Sequence, residues 1–293
     1  MRAPNRLLSA SVALAVLGVG TSARAVTPVF KYHFPTSYDG TSTTVTDQSP
    51  AGHDGAALGS SSATRPPLAA AVPPGATGNS ITTNAGGLET TATRLLDNAS
   101  IAANGGFTFQ TAFMWDGTAR TTFSGVQKIL DYSGTESLQI ETTAGNNTTA
   151  LLHFIFTAQG TGGGPDVVTG PSIPISANTW YQATGVFDTL GSAVDANGFI
   201  PGLATVTATD LTNGGAPVSA NAPVTKTNYA ETTLNRPIGI GELPLNSTSS
   251  RLVTFDGDIY DPAVSLGVVP EPAALALLGL AFPAAALRRR RKQ

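Results

Sequence analysis

The stretch that decides the fold is Phe107–Trp115, which reads FTFQTAFMW. Large apolar side chains lie at Phe107, Phe109, Phe113 and Trp115, and the residues between them are small or polar except Met114. In an extended chain, side chains at every second position share one face, so this segment has one apolar face and one polar face. That pattern predicts a β-strand with one buried side.

Similar short runs recur along the chain, separated by Gly, Asn, Asp and Pro, and no long run shows the period of a helix. The clearest are residues 137–141, 151–156, 181–187, 204–208 and 252–255. They predict an all-β fold, with two antiparallel sheets packed as a sandwich. Residues 59–80 and 212–230, rich in Pro and Ala, are interpreted as surface loops. Because no repeat or linker interrupts the pattern, residues 26–268 are predicted to form one domain.

The N-terminus has the layout of a secretory signal. Arg2 and Arg6 precede a short apolar run, residues 7–20. The small residues Ala23 and Ala25 after the run mark a cleavage site. We therefore expect a signal helix over residues 1–25, removed by signal peptidase after Ala25. The alternative is a membrane anchor, but the run is shorter than the roughly 20 apolar residues that span a bilayer.

Residues 269–293 form a second distinctive end. The tripeptide Pro270, Glu271 and Pro272 precedes an apolar run, residues 273–287, and a basic block follows. The block consists of Arg288, Arg289, Arg290, Arg291 and Lys292. Cations beside an apolar segment favour the cytoplasmic side of a membrane. The tail is therefore expected to form a short hydrophobic, transmembrane helix that holds the body outside the inner membrane.

These three parts, in this order, resemble the PEP-CTERM sorting signal. The resemblance implies that an exosortase, a membrane protease-transpeptidase, removes the tail and passes the body to the cell surface. It also implies a Gram-negative bacterium that makes exopolysaccharide, and only a transient inner-membrane anchor. A plain tail anchor is the alternative. The resemblance concerns the tail and does not describe the body.

The body is more acidic than the whole chain. The chain has 16 Lys+Arg and 19 Asp+Glu; removing eight cations and Glu271 with the two ends leaves 8 against 18, a net charge of −10. Such a surface repels phosphate backbones, so no nucleic-acid partner is expected. The chain has no cysteine, which excludes disulfides, iron–sulfur clusters and thiol catalysis.

An ordered series of motifs runs through the body. The strongest is NTWYQATGVFD at residues 178–188; the others lie at 32–34, 45–49, 52–55, 106–109, 128–132, 238–241 and 255–261. The series resembles the laminin-G-like branch of the concanavalin A-like jelly rolls. The resemblance implies a two-sheet antiparallel jelly roll in which one sheet face binds the ligand. A longer insertion, residues 191–203, departs from the family pattern.

Aromatic rings stack on sugars, and neighbouring carboxylates or amides bind sugar hydroxyls. Trp115, beside Asp116 at a strand end, is the candidate for an exposed ring, and Tyr132 is a second candidate. We expect these three residues to bind a carbohydrate. The alternative for each ring is a place in the core, which is also the expectation for Trp180.

Turns rich in oxygen-bearing side chains suggest a bound cation, and the sequence indicates no other cofactor. Asp47 and Asp54 lie in a Gly-rich turn, and Asp188 follows a strand near Asp195 and Asn197. Ca²⁺ takes six to eight oxygen ligands, which such turns supply. The alternative is that each Asp accepts hydrogen bonds from its own turn.

Asp256, Asp258 and Asp261 are the one acidic cluster that suggests catalysis, since two close carboxylates can cleave glycosidic bonds. The alternative is a closing strand of the sandwich. No Gly-x-Ser-x-Gly elbow and no paired histidine motif is present. We therefore expect an exported surface protein that is not an enzyme and binds carbohydrate, its surface polysaccharide first. A glycan hydrolase, a structural or adhesion protein and an ice-binding protein are the alternatives.

Overall fold

The computed structural model describes most of the body and neither end. The described residues are 26–59, 65–84, 86–93, 95–121, 125–132, 136–159, 165–168, 170–196, 200–224, 237–242 and 254–269. The signal and sorting residues (Ala23, Ala25, Pro270, Glu271, Pro272 and Arg288 to Arg291), with the two helices expected there, lie outside these ranges. Within them, no helix has the length and apolar character needed to cross a membrane.

The described chain has seventeen strands and one short helix, and the strands hold about half of its residues. The first group is β1 (Thr27–Lys31), β2 (Thr44–Val45), β3 (Gly55–Gly59), β4 (Leu68–Ala69), β5 (Ser80–Thr82) and β6 (Gly86–Thr90). A short helix, α1 (Asn98–Asn104), precedes β7 (Gly106–Trp115), β8 (Val126–Tyr132), β9 (Glu136–Thr142) and β10 (Thr149–Gln159). The rest are β11 (Pro165–Val168), β12 (Ser172–Ser176), β13 (Trp180–Asp188), β14 (Gly202–Asp210), β15 (Val218–Val224), β16 (Ile238–Ile240) and β17 (Gly257–Leu266).

These strands form two sheets, which confirms the all-β sandwich. Sheet A has the order β15-β14-β13-β7-β17-β5-β4, with β1 also paired to β17. Sheet B has the order β11-β10-β9-β8-β16-β6-β3-β2, with β12 also paired to β10. The registered pairs are antiparallel in both sheets.

The alternation in β7 supplies the core as predicted. Phe107, Phe109, Phe113 and Trp115 are all completely buried. The rings of Phe107 and Phe109 in sheet A pack against Phe154 in sheet B, with centroids 5.9 and 5.8 Å apart. Burying one such side chain contributes about 1.5–3 kcal/mol to the stability of the fold. The packing of these rings is therefore a main interaction that holds the two sheets together.

Two predictions about elements are wrong. Residues 212–230 were expected to be a loop, yet Val218–Val224 forms β15 at the edge of sheet A. Only β14 pairs with it, so Pro223 and weak alternation are tolerated there. Residues 252–255 were expected to be a strand; residues 252 and 253 lie outside the described ranges, while Thr254 and Phe255 precede β17 without forming a strand, and the Phe255 N–H donates to the Gly241 carbonyl.

Candidate functional site

The outer face of sheet A carries an open groove. Along β7 and β13 the inward positions fill the core, so Gln110 and Gln182 point outward, and Tyr260 of β17 lies on the same face. Together with Lys31 of β1 and Asp261, they line a groove of about 410 Å³. Ligand sites in proteins commonly measure 300–1,000 Å³, so this groove has room for a small ligand or a short segment of a polymer.

The turn between β2 and β3 forms one wall of the groove through Gln48 and Ser49. Asp47 holds this wall in place. Its Oδ1 accepts the N–H groups of Lys31 and Ser49 at 2.9 and 2.8 Å, and its Oδ2 accepts the Ser49 hydroxyl and the His53 N–H at 2.7 and 2.8 Å. Gln48 N–H in turn donates to the Lys31 carbonyl at 2.8 Å.

A β-bulge brings Asp261 to the groove. Tyr260 pairs with Ala112 and Ala263 pairs with Gln110, so β17 has one extra residue against β7. Asp261 absorbs it with a φ of +48°, a left-handed conformation that Asp tolerates better than most residues. His33 then fixes the carboxylate, with Nδ1 and Oδ1 2.7 Å apart.

Tyr260 is held with its ring at the groove. Its hydroxyl donates to the Thr77 carbonyl at 2.9 Å, and the His33 ring packs edge-on, with centroids 6.1 Å apart. Burial, and then the charge of Asp261, raise the pKa of Tyr260. At neutral pH the phenol is protonated and donates this hydrogen bond to Thr77, which orients the ring at the groove.

The expectation of an exposed ring at Trp115 is wrong. Trp115 and Tyr132 are both completely buried and belong to the core. Asp116 is half-buried and accepts hydrogen bonds from Thr118 N–H and Asn84 Nδ2 at 2.8 and 3.2 Å. None of these three candidates lines the groove. The alternation explains the burial of Trp115, because it is the last inward residue of β7.

The structure places Asp47 and Asp54 in one turn and Asp188 elsewhere. Asp54 Oδ1 accepts the Asp47 N–H at 2.9 Å, while Asp188, at the end of β13, accepts the Leu190 N–H at 2.7 Å. The oxygens of Asp47 are already taken by donors of its own turn, which fits turn stabilisation and not Ca²⁺ coordination. In the described ranges, no three His, Cys, Asp or Glu side chains come together as a metal ion requires.

The acidic cluster of β17 is divided among three partners. Asp256 forms an ion pair with Arg120, whose Nη2 lies 2.6 Å from Oδ1. Asp258 accepts the Thr82 hydroxyl at 2.5 Å, and its pKa is raised by burial and by Asp116, against the lowering effect of Thr82. With Asp261 paired to His33, the three carboxylates do not act as one group.

Sheet B also carries outward polar groups, but they are buried. Lys128 Nζ donates to Ser137 Oγ and Gln139 Oε1 at 2.8 and 2.6 Å and pairs with Asp131 Oδ1 at 3.0 Å. Ser137, Gln139 and Asp131 are each at most 3% exposed. Lys128 is engaged by two hydrogen bonds and one ion pair inside the protein, so this cluster stabilises the sheet.

Sequence reasoning missed Lys31, Gln110, Gln182 and Tyr260. Gln110 and Gln182 are outward residues of strands whose inward residues were recognised, whereas no strand was predicted at residues 27–31, where Lys31 lies. One signal was available for the bulge: Tyr260, Asp261 and Pro262 interrupt the alternation between Ile259 and Val264, which are both completely buried.

No family model matches the chain, and no curated protein matches it. Among solved structures, it is similar to the marine PL-14 alginate lyase from Aplysia kurodai at 8% identity and a TM-score of 0.39, covering 70% of this chain and 87% of that one. It is also similar to the binding domain of Paraclostridial Mosquitocidal Protein 1 at 11% identity and a TM-score of 0.46. That match covers 87% of this chain but 52% of the other, about half its length.

Proposed function

We propose that this chain is an exported cell-surface protein that binds polysaccharide in the groove on sheet A. The observation that carries the proposal is the set of groups lining the groove. Three amides (Gln48, Gln110 and Gln182), the ring of Tyr260 and the Asp261 carboxylate, which is hydrogen-bonded to His33, line about 410 Å³ of open space. Sugars need this combination, because their rings have apolar faces and their hydroxyls both donate and accept hydrogen bonds.

Gln110 is the group best placed to meet a ligand. It is exposed, and within the described residues its amide has no hydrogen-bond partner. Gln182 uses its Nε2 to bind the Thr111 carbonyl at 3.1 Å, which leaves its carbonyl oxygen for a sugar hydroxyl. One amide is therefore adaptable and the other is held in a fixed orientation.

The two ends supply the surface location in this proposal. The signal segment directs export, and the PEP-CTERM-like tail directs recognition by an exosortase, with a transient stay in the inner membrane. A laminin-G-like jelly roll is the proposed form of the sandwich. The cell's own exopolysaccharide is then the polymer within reach of the groove.

The alternatives have less support in the described residues. Hydrolysis by two carboxylates needs them to face one bond, yet Asp256, Asp258 and Asp261 have separate partners. Ice binding needs an exposed, regular array of threonines. Thr207 is only 7% exposed, and its hydroxyl hydrogen-bonds Ser219 Oγ at 2.8 Å.

A glycan array followed by calorimetry tests the proposal. Gln110→Ala should weaken binding of the best polysaccharide by roughly 5- to 10-fold, the value of one hydrogen bond in a partly exposed site. Asn221→Ala is the matched control, because it removes an exposed amide of β15 that does not line the groove. Binding should survive a Ca²⁺ chelator, because in this proposal the groove side chains contact the sugar directly.

Two results would contradict the proposal. The first is that the protein melts as a folded domain does and yet binds no polysaccharide on the array. The other is an equal loss of affinity in Gln110→Ala and Asn221→Ala, which would move the binding surface away from the groove.

A further inference from the structure

We infer that the polysaccharide held in the groove is acidic, and that Lys31 selects it by pairing with a carboxylate or sulfate of the sugar. This inference rests on the proposed function and adds the class of ligand. It starts from the few cations of a body whose net charge is −10 (8 Lys+Arg against 18 Asp+Glu).

Four of those eight cations lie among the described residues, and three are engaged within the protein. Arg120 pairs with Asp256, and Lys128 pairs with Asp131. The Arg65 guanidinium donates to the Thr41 carbonyl. Lys31 alone among these four has neither an ion pair nor a side-chain hydrogen bond within the described part of the chain, and it is exposed at the groove.

The backbone around Lys31 is fixed although its ammonium group is free. Its N–H donates to Asp47 Oδ1 at 2.9 Å, and its residue pairs with Ala263 across β1 and β17. When a ligand binds and orders the lysine side chain, conformational entropy is lost. Because the backbone is already fixed, only the side chain loses freedom. The groove thus presents one available positive charge at a defined position.

The neighbouring groups fit the rest of an acidic sugar. Asp261 Oδ1 is taken by His33, which leaves Oδ2 to accept a sugar hydroxyl, and Gln110 can donate or accept. An anionic sugar carries hydroxyls beside its charged group, so it can use the cation and these acceptors together. Elsewhere the acidic surface repels an anionic polymer, which confines binding to the groove.

The test compares polymers that differ only in charge. Hyaluronate is compared with its carboxyl-reduced form, and dextran sulfate with dextran, so the two pairs separate a carboxylate ligand from a sulfate ligand. The purified protein should prefer the charged member of at least one pair. Lys31→Gln should cut that affinity roughly 5- to 10-fold, because it removes a charge-assisted hydrogen bond.

Two variants control for loss of charge and loss of structure. Lys31→Arg keeps the positive charge and should retain most of the preference. Arg65→Gln removes an exposed cation that does not line the groove and should leave the preference unchanged. Both should melt at the temperature of the parent protein.

The outcomes separate this inference from the function on which it rests. Equal affinity for both members of each pair, with a loss on Gln110→Ala, would overturn the acidic ligand and keep the polysaccharide site. A preference for charge that Lys31→Gln does not reduce would overturn the role of Lys31. A folded protein that binds none of the four polymers, and none on the glycan array, would overturn both proposals.

Discussion

His153 is a buried histidine on the outward side of β10, since its neighbours Leu152 and Phe154 are core residues. It is 4% exposed, and neither ring nitrogen has a hydrogen-bond partner within the described residues. It lies beside the charged side chain of Glu141, with Nε2 and Oε2 3.4 Å apart. Burial lowers the pKa of His153 below 6.5, although Glu141 acts in the opposite direction.

This lowered pKa predicts a loss of stability in mild acid. Below pH 6.5 the unfolded chain takes up a proton that the folded chain resists, so the free energy of unfolding falls with pH by up to about 1.4 kcal/mol per unit. His153→Leu should remove that part of the slope in urea denaturation between pH 8 and 5. Glu141→Gln should extend the loss to lower pH. Identical slopes in the parent and His153→Leu would refute the assignment.

The hydrogen bonds of Asp47 predict a measurable contribution to stability. Its carboxylate accepts four hydrogen bonds that build the groove wall, so Asp47→Ala should lower the free energy of unfolding by roughly 2–4 kcal/mol. Asp39→Ala is the control, because Asp39 accepts the N–H groups of Thr41 and Ser42 in a fully exposed turn and should have a much smaller effect. Ca²⁺ that raised the melting temperature of the parent but not of Asp47→Ala would favour a metal site instead.

At the scale of elements, the sheets interlock where β13 faces β10. A Cβ on Gly185 would lie 2.6 Å from Phe154 Cδ2, so the absence of a side chain lets the Phe154 ring sit against sheet A. Gly185→Ala should therefore cost about 1–3 kcal/mol by overpacking. Phe154→Leu should relieve part of that cost, and a double-mutant cycle in urea should show coupling between the two positions. Additive effects would mean that the clash lies elsewhere.

The elements also show what the sequence can predict. Alternation located β7, β9 and β13 to within one residue at either end, because burial of one face imposes a period of two. It missed β15, an edge strand whose outward and inward residues are both small or polar. It also missed α1, whose seven residues, between Asp97 as N-cap and Gly105 as C-cap, are too short to show a helical period.

The groove could not be predicted in the same way. Lys31, Gln110, Gln182 and Tyr260 are far apart in sequence and meet only through the pairings of β1, β17, β7 and β13. No local pattern specifies which strands become neighbours, and long-range register is set by the whole core. Trp115 and Tyr132 were predicted instead because their rings are large. A large ring can fill a hydrophobic core as well as bind a ligand.

At the scale of the whole molecule, the two outer faces differ. Sheet A leaves Gln110, Lys31 and the Tyr260 ring at an open groove, while sheet B buries the hydrogen-bonded cluster around Lys128. A chain without cysteine has no disulfide, so both the sandwich and the groove depend on the core that joins the sheets.

Both ends of the chain are predicted to be removed by processing. If the tail is a sorting signal, replacing Pro270, Glu271 and Pro272 with Ala should leave the protein in the inner membrane with its tail intact, in a host that has an exosortase. The parent chain should reach the cell surface without residues 273–293 and begin at Val26. Mass spectrometry of membrane and surface fractions measures both ends, and Gln293→Ala is the control that should be processed normally. A parent chain that keeps its tail would show that the apolar segment is a plain anchor, because an anchor requires only length and hydrophobicity. A triple variant that loses its tail would show that the tripeptide is not the signal for its removal.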